Sequence, residues 1–179
     1  MENKLVLYDA LLREGAQTEG VNLSLKDKLA LAEILDDLGM HYIEGGWPGS
    51  NPKDIAFFKE ARKLKLRNAK LAAFGMTRRS RFMAEREPLL KNLLSARTPV
   101  VTIFGKTSDF HVTRALKVSL SENLDMIAES IRFLKRRTDE VFFDAEHFFD
   151  GFKSNPEYAL STLAAALEAG ADALVLCDT

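Results

Sequence analysis

With a single cysteine, Cys177, the chain cannot form an internal disulfide, so its fold must rest on burial and hydrogen bonding, as suits a reducing compartment. No apolar run approaches the ~20 residues needed to cross a membrane as a helix. The opening MENKLVLYDA also lacks the apolar stretch of a secretion signal. Charge of one sign is equally scarce: 25 Lys+Arg against 26 Asp+Glu leave a formal net charge of -1. That balance removes any bulk attraction to nucleic acid or to an anionic membrane surface. Glycine (10) and proline (5) are too few for a collagenous or low-complexity chain. What is present is a 46% apolar, 28% charged sequence of 179 residues, enough for one globular domain and short for two. The expectation is a soluble, cytoplasmic protein whose partner is a small molecule.

Short β-rich runs alternate with longer stretches of helical periodicity, which defines an α/β protein. Strands are predicted at Lys4 to Tyr8, His41 to Glu44, Ala69 to Phe74, Pro99 to Phe104, Glu140 to Asp144 and Ala173 to Cys177. Between them, helices are predicted at Ser24 to Leu38, Pro52 to Leu64, Ser80 to Leu94, Leu120 to Arg136 and Pro156 to Ala169. Ser24 suits an N-cap, Gly39 a C-terminal stop, and Pro52 a first helical turn. The strands recur at a mean spacing of about 34 residues, the length of a βα unit, and no hairpin signal intervenes. A parallel sheet follows. Two architectures satisfy this pattern, an open doubly wound sheet and a (β/α)8 barrel. The first βα junction carries no G-x-G-x-x-G, no Walker-type loop appears, and polar residues gather at the end of nearly every strand. That distribution favours a barrel, here expected to stop after its sixth strand.

The strand ends hold the chemistry. After strand one, Asp9-Ala10-Leu11-Leu12-Arg13-Glu14-Gly15-Ala16-Gln17 places two acids, a base and an amide within nine residues. Arg13 offers a planar fork for a carboxylate or an enolate oxygen, and Glu14 an oxygen ligand for a hard cation. The bland alternative is a solvated ion pair. Strand two ends in Glu44-Gly45-Gly46-Trp47, an acid beside a backbone free to turn sharply, or an exposed turn. His111, in the loop after strand four, can shuttle protons, bond a substrate or simply close its loop. After strand five, Asp144-Ala145-Glu146-His147 opens the densest titratable cluster, where close carboxylates can shift one another and supply a base. Cys177 has no activating partner in the sequence and reads as a small packed residue.

In order, these strings resemble the acyl-CoA-dependent condensing enzymes related to 2-isopropylmalate, homocitrate and citramalate synthases, a metal-dependent (β/α)8 family that also includes 3-hydroxy-3-methylglutaryl-CoA lyase. The family's opening D-[TS]-T-L-R-[DE]-G-x-Q is matched by D-A-L-L-R-E-G-A-Q at 9 to 17. I-E-G-G-W-P-G-S-N-P-K-D at 43 to 54, A-F-G-M-T-R-R at 73 to 79, T-P-V-V-T-I-F-G-K at 98 to 106 and D-A-E-H-F-F-D-G at 144 to 151 match its citramalate-type branch. Together they span the chain.

The resemblance implies condensation of acetyl-CoA with pyruvate or a similar short 2-keto acid, on a branched-chain amino-acid route, with a divalent cation (Mg, Mn or Zn) in the complete enzyme. Carried over by position, Arg13 stabilises the enolate-like oxygen, Glu14 is a metal ligand, and Thr179 touches the keto acid. Glu44 and His111 line the polar floor, Gln17 and Asp144 are taken as substrate contacts, and Glu146, on a strand-end loop with Asp144 that could tune it, is the candidate base. Ala10 and Leu11 replace the usual hydroxyl pair, and Glu14 stands where many members have Asp. The family's two metal-binding histidines lie in an H-x-H string after strand six, which His41, His111 and His147 do not match. The chain is thus expected to be the N-terminal part, 1–179, of one barrel domain, without a working metal site of its own and belonging to a homodimer. Two rival readings remain: a carbon–carbon lyase on the same fold, and a non-catalytic fragment or assembly module.

Overall fold

The computed structural model describes residues 5–50 and 52–179. Six strands, β1 (Tyr8–Asp9), β2 (Tyr42–Gly46), β3 (Lys70–Met76), β4 (Val100–Lys106), β5 (Glu140–Glu146) and β6 (Ala173–Leu176), form one sheet. Every neighbouring pair is parallel. The spatial order is β1-β2-β3-β4-β5-β6, without the reversal that defines an open doubly wound sheet. The sheet is also curled. In a flat sheet, β1 and β4 would stand about 14 Å apart at the usual strand spacing, yet the Tyr8 hydroxyl lies 2.8 Å from Thr102 Oγ1. Strand order and curvature together make this part of a (β/α)8 barrel, as the strand-end polarity predicted.

The two faces of the strands divide cleanly. Ile43, Ala73, Val101, Ile103, Val141, Phe143 and Ala145 point outward and are buried under the helices in the main core. The alternate positions, among them Tyr42, Ala72, Val100, Phe142 and Ala173, point inward and form a second, smaller apolar cluster. Helices α1 (Leu25–Asp37), α2 (Pro52–Ala61), α3 (Pro88–Ser95), α4 (Asp109–His111, continued by a π-type turn over Val112–Leu116), α5 (Leu120–Lys135), α6 (Phe148–Ser154) and α7 (Pro156–Glu168) complete the chain. Ser24 caps α1 in a reciprocal capping box with Asp27, as its position in the sequence indicates. Near the end of α1, Asp36 is buried and accepts the backbone N–H groups of Arg67, Asn68 and Ala69, just before β3, at 2.7–2.8 Å. No helix among the described residues is long and apolar enough to cross a membrane.

Three expectations are corrected. The first strand is assigned only from Tyr8, with Leu5 and Val6 largely exposed, and predicted residue Lys4 lies outside the described residues. The helix predicted from Ser80 begins at Pro88. Glu87, fully buried, accepts from the backbone N, Nε and NH2 of Arg79 and from Leu89 N, holding residues 79 to 87 as a loop with a single 3-10 turn. That network satisfies backbone donors that a longer helix would have used, and Pro88 then occupies the first helical turn. Helix α6 was not predicted. It is short and carries Gly151, where an added Cβ would sit 2.6 Å from the Thr107 carbonyl, so the residue that weakens its helical signal is required by packing.

Candidate active site

The first βα loop turns immediately after Asp9, whose carboxylate accepts Leu11 N, and a 3-10 turn at Gly15–Gln17 closes it over the strand ends. This geometry brings Arg13 to the mouth of the barrel. Its Nε donates to Glu44 Oε1, and its NH1 donates to Glu14 Oε2 at 2.5 Å. The guanidinium carbon lies 3.7 Å above the Phe74 ring, so the fork is fixed on one face by cation–π contact and on two edges by carboxylates. The NH2 nitrogen has no acceptor among the described residues. Burial opposes the charge of Arg13, but Glu44 and Glu14 outweigh it, and its pKa lies above the ordinary value.

Glu44 reaches Arg13 because β2 ends in a bulge. The register with β3 shifts between Glu44 and Gly46, and Gly46 adopts φ 143°, a region that favours glycine. The bulge also turns Trp47 inward. Its backbone N donates to Asp54 Oδ2 at 2.8 Å, and Asp54 is in turn paired with buried Lys28 at 2.7 Å. The Trp47 ring meets the edges of Phe74 and Phe104, which stack on each other at 5.5 Å.

These elements enclose a cavity of about 490 Å³ at the C-terminal end of the strands, lined by Arg13, Glu14, Gln17, Asp144, Glu146 and Thr179 against the wall of Trp47, Phe74 and Phe104. It brings together six of the eight residues singled out from the sequence. Glu44 sits just beneath, behind Arg13. His111 is elsewhere: it is stacked on His147 at 3.9 Å and does not line the cavity. Burial, His147 and Lys106 lower the pKa of His111. The aromatic wall escaped sequence reasoning, because Phe74 and Phe104 look like ordinary strand residues. Their inward parity, two residues before the ends of β3 and β4, is the signal that marks them.

The acids in the cavity differ. Burial, with the nearby charge of Glu44, pushes Asp144 up to about 7 despite the offset from Arg13, so the carboxyl holds a proton half the time near neutrality. Glu146 is paired with Lys106 at 2.6 Å. Its backbone carbonyl accepts both the N–H and the hydroxyl of Thr107, which ties the loop after β4 to the end of β5. The Thr179 hydroxyl accepts His147 N at 3.3 Å, and His147 holds a left-handed φ of 60° there. Cys177 also lines the cavity, but burial and then Asp144, Glu146 and Glu44 push its thiol up to about 12, so it stays protonated and is no nucleophile.

A metal is a different matter. Among the described residues no three His, Cys, Asp or Glu side chains are gathered to hold one, and Glu14 is 64% exposed with its carboxylate turned to Arg13. The residues present do not by themselves fit a divalent-metal centre.

Residues 4–179 match the HMGL-like family. The chain belongs to that family. Among curated relatives, this HMGL-like chain is 60% identical over 179 residues to (R)-citramalate synthase from Aquifex aeolicus, a match covering all of this chain and 34% of the relative. It is 57% identical over 173 residues to (R)-citramalate synthase from Geobacter sulfurreducens, covering 97% of this chain and 33% of that one. The chain therefore spans about a third of the length of these relatives. Its fold matches the crystal structure of hydroxymethylglutaryl-CoA lyase from Pseudomonas aeruginosa with a TM-score of 0.75 at 19% identity, covering 98% of this chain and 58% of that one. At that identity the likeness speaks for the HMGL-like barrel alone.

Proposed function

We propose that residues 1–179 are the N-terminal part of the single barrel domain of an acyltransferase that condenses acetyl-CoA with pyruvate, or a similar short 2-keto acid, to give citramalate and CoA. The observation that carries this reading is the posture of Arg13, clamped by Glu44 and Phe74 at the wall of a small cavity that Asp144 and Glu146 also line. Identity to citramalate synthases along the whole segment supports the choice of substrates.

In this reading Glu146 takes a proton from the methyl group of the acetyl thioester. The carbon so activated bonds to the keto carbon of pyruvate, and the keto oxygen becomes an alkoxide. Arg13 meets that oxygen with a fixed, fully charged donor, and Asp144 returns a proton to it. Water then cleaves the thioester, releasing CoA and making the condensation irreversible in practice. Gln17 and Thr179 orient the keto acid, and the aromatic wall excludes water from the new carbon–carbon bond. Glu14 is the residue that would offer an oxygen to a divalent cation. A homodimer in the cytoplasm, on the route to branched-chain amino acids, completes the proposal.

The test uses the complete protein with acetyl-CoA and pyruvate, following free thiol and citramalate together. Wild type is expected to release one CoA per citramalate, and Arg13→Ala to lose about 10³-fold in kcat. Pyruvate-independent thiol release, or near-normal turnover by Arg13→Ala, overturns the reading. Cleavage of a hydroxyacyl-CoA without condensation would favour the lyase alternative.

A further inference from the structure

Beneath Arg13, inside the barrel, a run of hydrogen bonds continues across three strands. Thr102 on β4 is fully buried, and its Oγ1 lies 2.8 Å from the Tyr8 hydroxyl on β1. That hydroxyl lies 2.6 Å from Glu44 Oε2 on β2, while Glu44 Oε1 accepts Arg13 Nε. Proton counting fixes the direction. A carboxylate paired with arginine only accepts, so the single proton of Tyr8 goes to Glu44, and Thr102 must donate to the Tyr8 oxygen. Burial and the neighbouring Glu44 push the Tyr8 phenol far above its usual range, so the proton stays on the tyrosine. The ring is stacked against Tyr42 and tilted against Phe142, each at 6.1 Å, which fixes where the hydroxyl points.

We propose that Tyr8 is a positioning residue: held by Thr102, its hydroxyl pins the Glu44 carboxylate in the orientation that meets Arg13 Nε, and thereby aims the rest of the guanidinium into the cavity. A ring that merely filled space would do equally well as phenylalanine, since the packing contacts use no hydroxyl. The inference rests on the reading of Arg13 as the group that meets the substrate oxygen.

The experiment compares Tyr8→Phe, Thr102→Val and Thr102→Ser in the complete protein by kcat and KM, alongside the Arg13 Nε–H resonance seen with nitrogen-15 arginine and assigned through Arg13→Lys. Tyr8→Phe is expected to lower kcat about 10- to 100-fold, with a smaller change in KM for the keto acid. Its Arg13 resonance should move toward that of a solvent-exposed arginine. Thr102→Val should act in the same direction but less, and Thr102→Ser should restore wild-type behaviour. The double variant Tyr8→Phe/Thr102→Val should be no worse than Tyr8→Phe alone, because both act on one relay. An unchanged kcat, or an unmoved Arg13 resonance, in Tyr8→Phe overturns the inference. If the wild-type protein performs no condensation, the functional reading falls, and the resonance alone decides whether Tyr8 holds Arg13 through Glu44.

Discussion

Replacing Asp144 by asparagine is expected to stabilise the protein, and to do so only where the carboxyl would otherwise ionise. In the folded chain Asp144 titrates at about 7, because burial and the Glu44 charge oppose ionisation, whereas in the unfolded chain it titrates near its ordinary 3.8. Between those two values the folded state holds more protons than the unfolded one. Stability contributed by this group therefore falls as the pH rises from about 4 to about 7, and is level above that. About three pH units at about 1.4 kcal/mol each set a ceiling of about 4 kcal/mol. Because Asp144 lines a cavity that admits water, we expect about 2–4 kcal/mol at pH 8 and almost nothing at pH 4. Urea unfolding of wild type and Asp144→Asn at matched pH values measures the difference directly. A gain of the same size at both pH values, or a variant less stable at pH 8, would refute the argument that ionisation of Asp144 is what costs stability.

Other outcomes follow from the same geometry. Arg13→Lys keeps the charge but cannot meet Glu44, Glu14 and the substrate as a planar fork, so kcat should fall about 10²-fold or more in a coupled thiol assay. Gly45→Ala places a Cβ 2.4 Å from the Phe57 ring and should cost about 1–3 kcal/mol in denaturant unfolding. Asp36→Ala strands three backbone donors at once and should cost about 3 kcal/mol by the same measurement, with hydrogen exchange rising first at residues 67–69. Lys28→Met removes the cation that pairs with buried Asp54 and should destabilise by about 3–5 kcal/mol in the same unfolding measurement.

Legible in the residues alone were the alternation of strands and helices, their parallel arrangement and the end of the sheet at which polar residues collect. Those features follow from local periodicity, caps and spacing, as Ser24 with Asp27 and the start of α2 at Pro52 illustrate. The sequence also pointed to Arg13, Glu14, Gln17, Asp144, Glu146 and Thr179, because strand ends on one side of a parallel sheet converge whatever the packing detail. What surrounds each of them came only with the folded chain. The clamp on Arg13 joins residues 31 and 94 positions apart, through Glu44 and then from Tyr8 to Thr102, and no local pattern encodes such distant partners. The same holds where local signals misled. A buried Glu87 turned a predicted helix at Ser80 into a loop by meeting Arg79. Burial likewise set the protonation of Asp144 and Cys177, since the cost of a charge depends on what surrounds it, and that is a property of the folded chain alone.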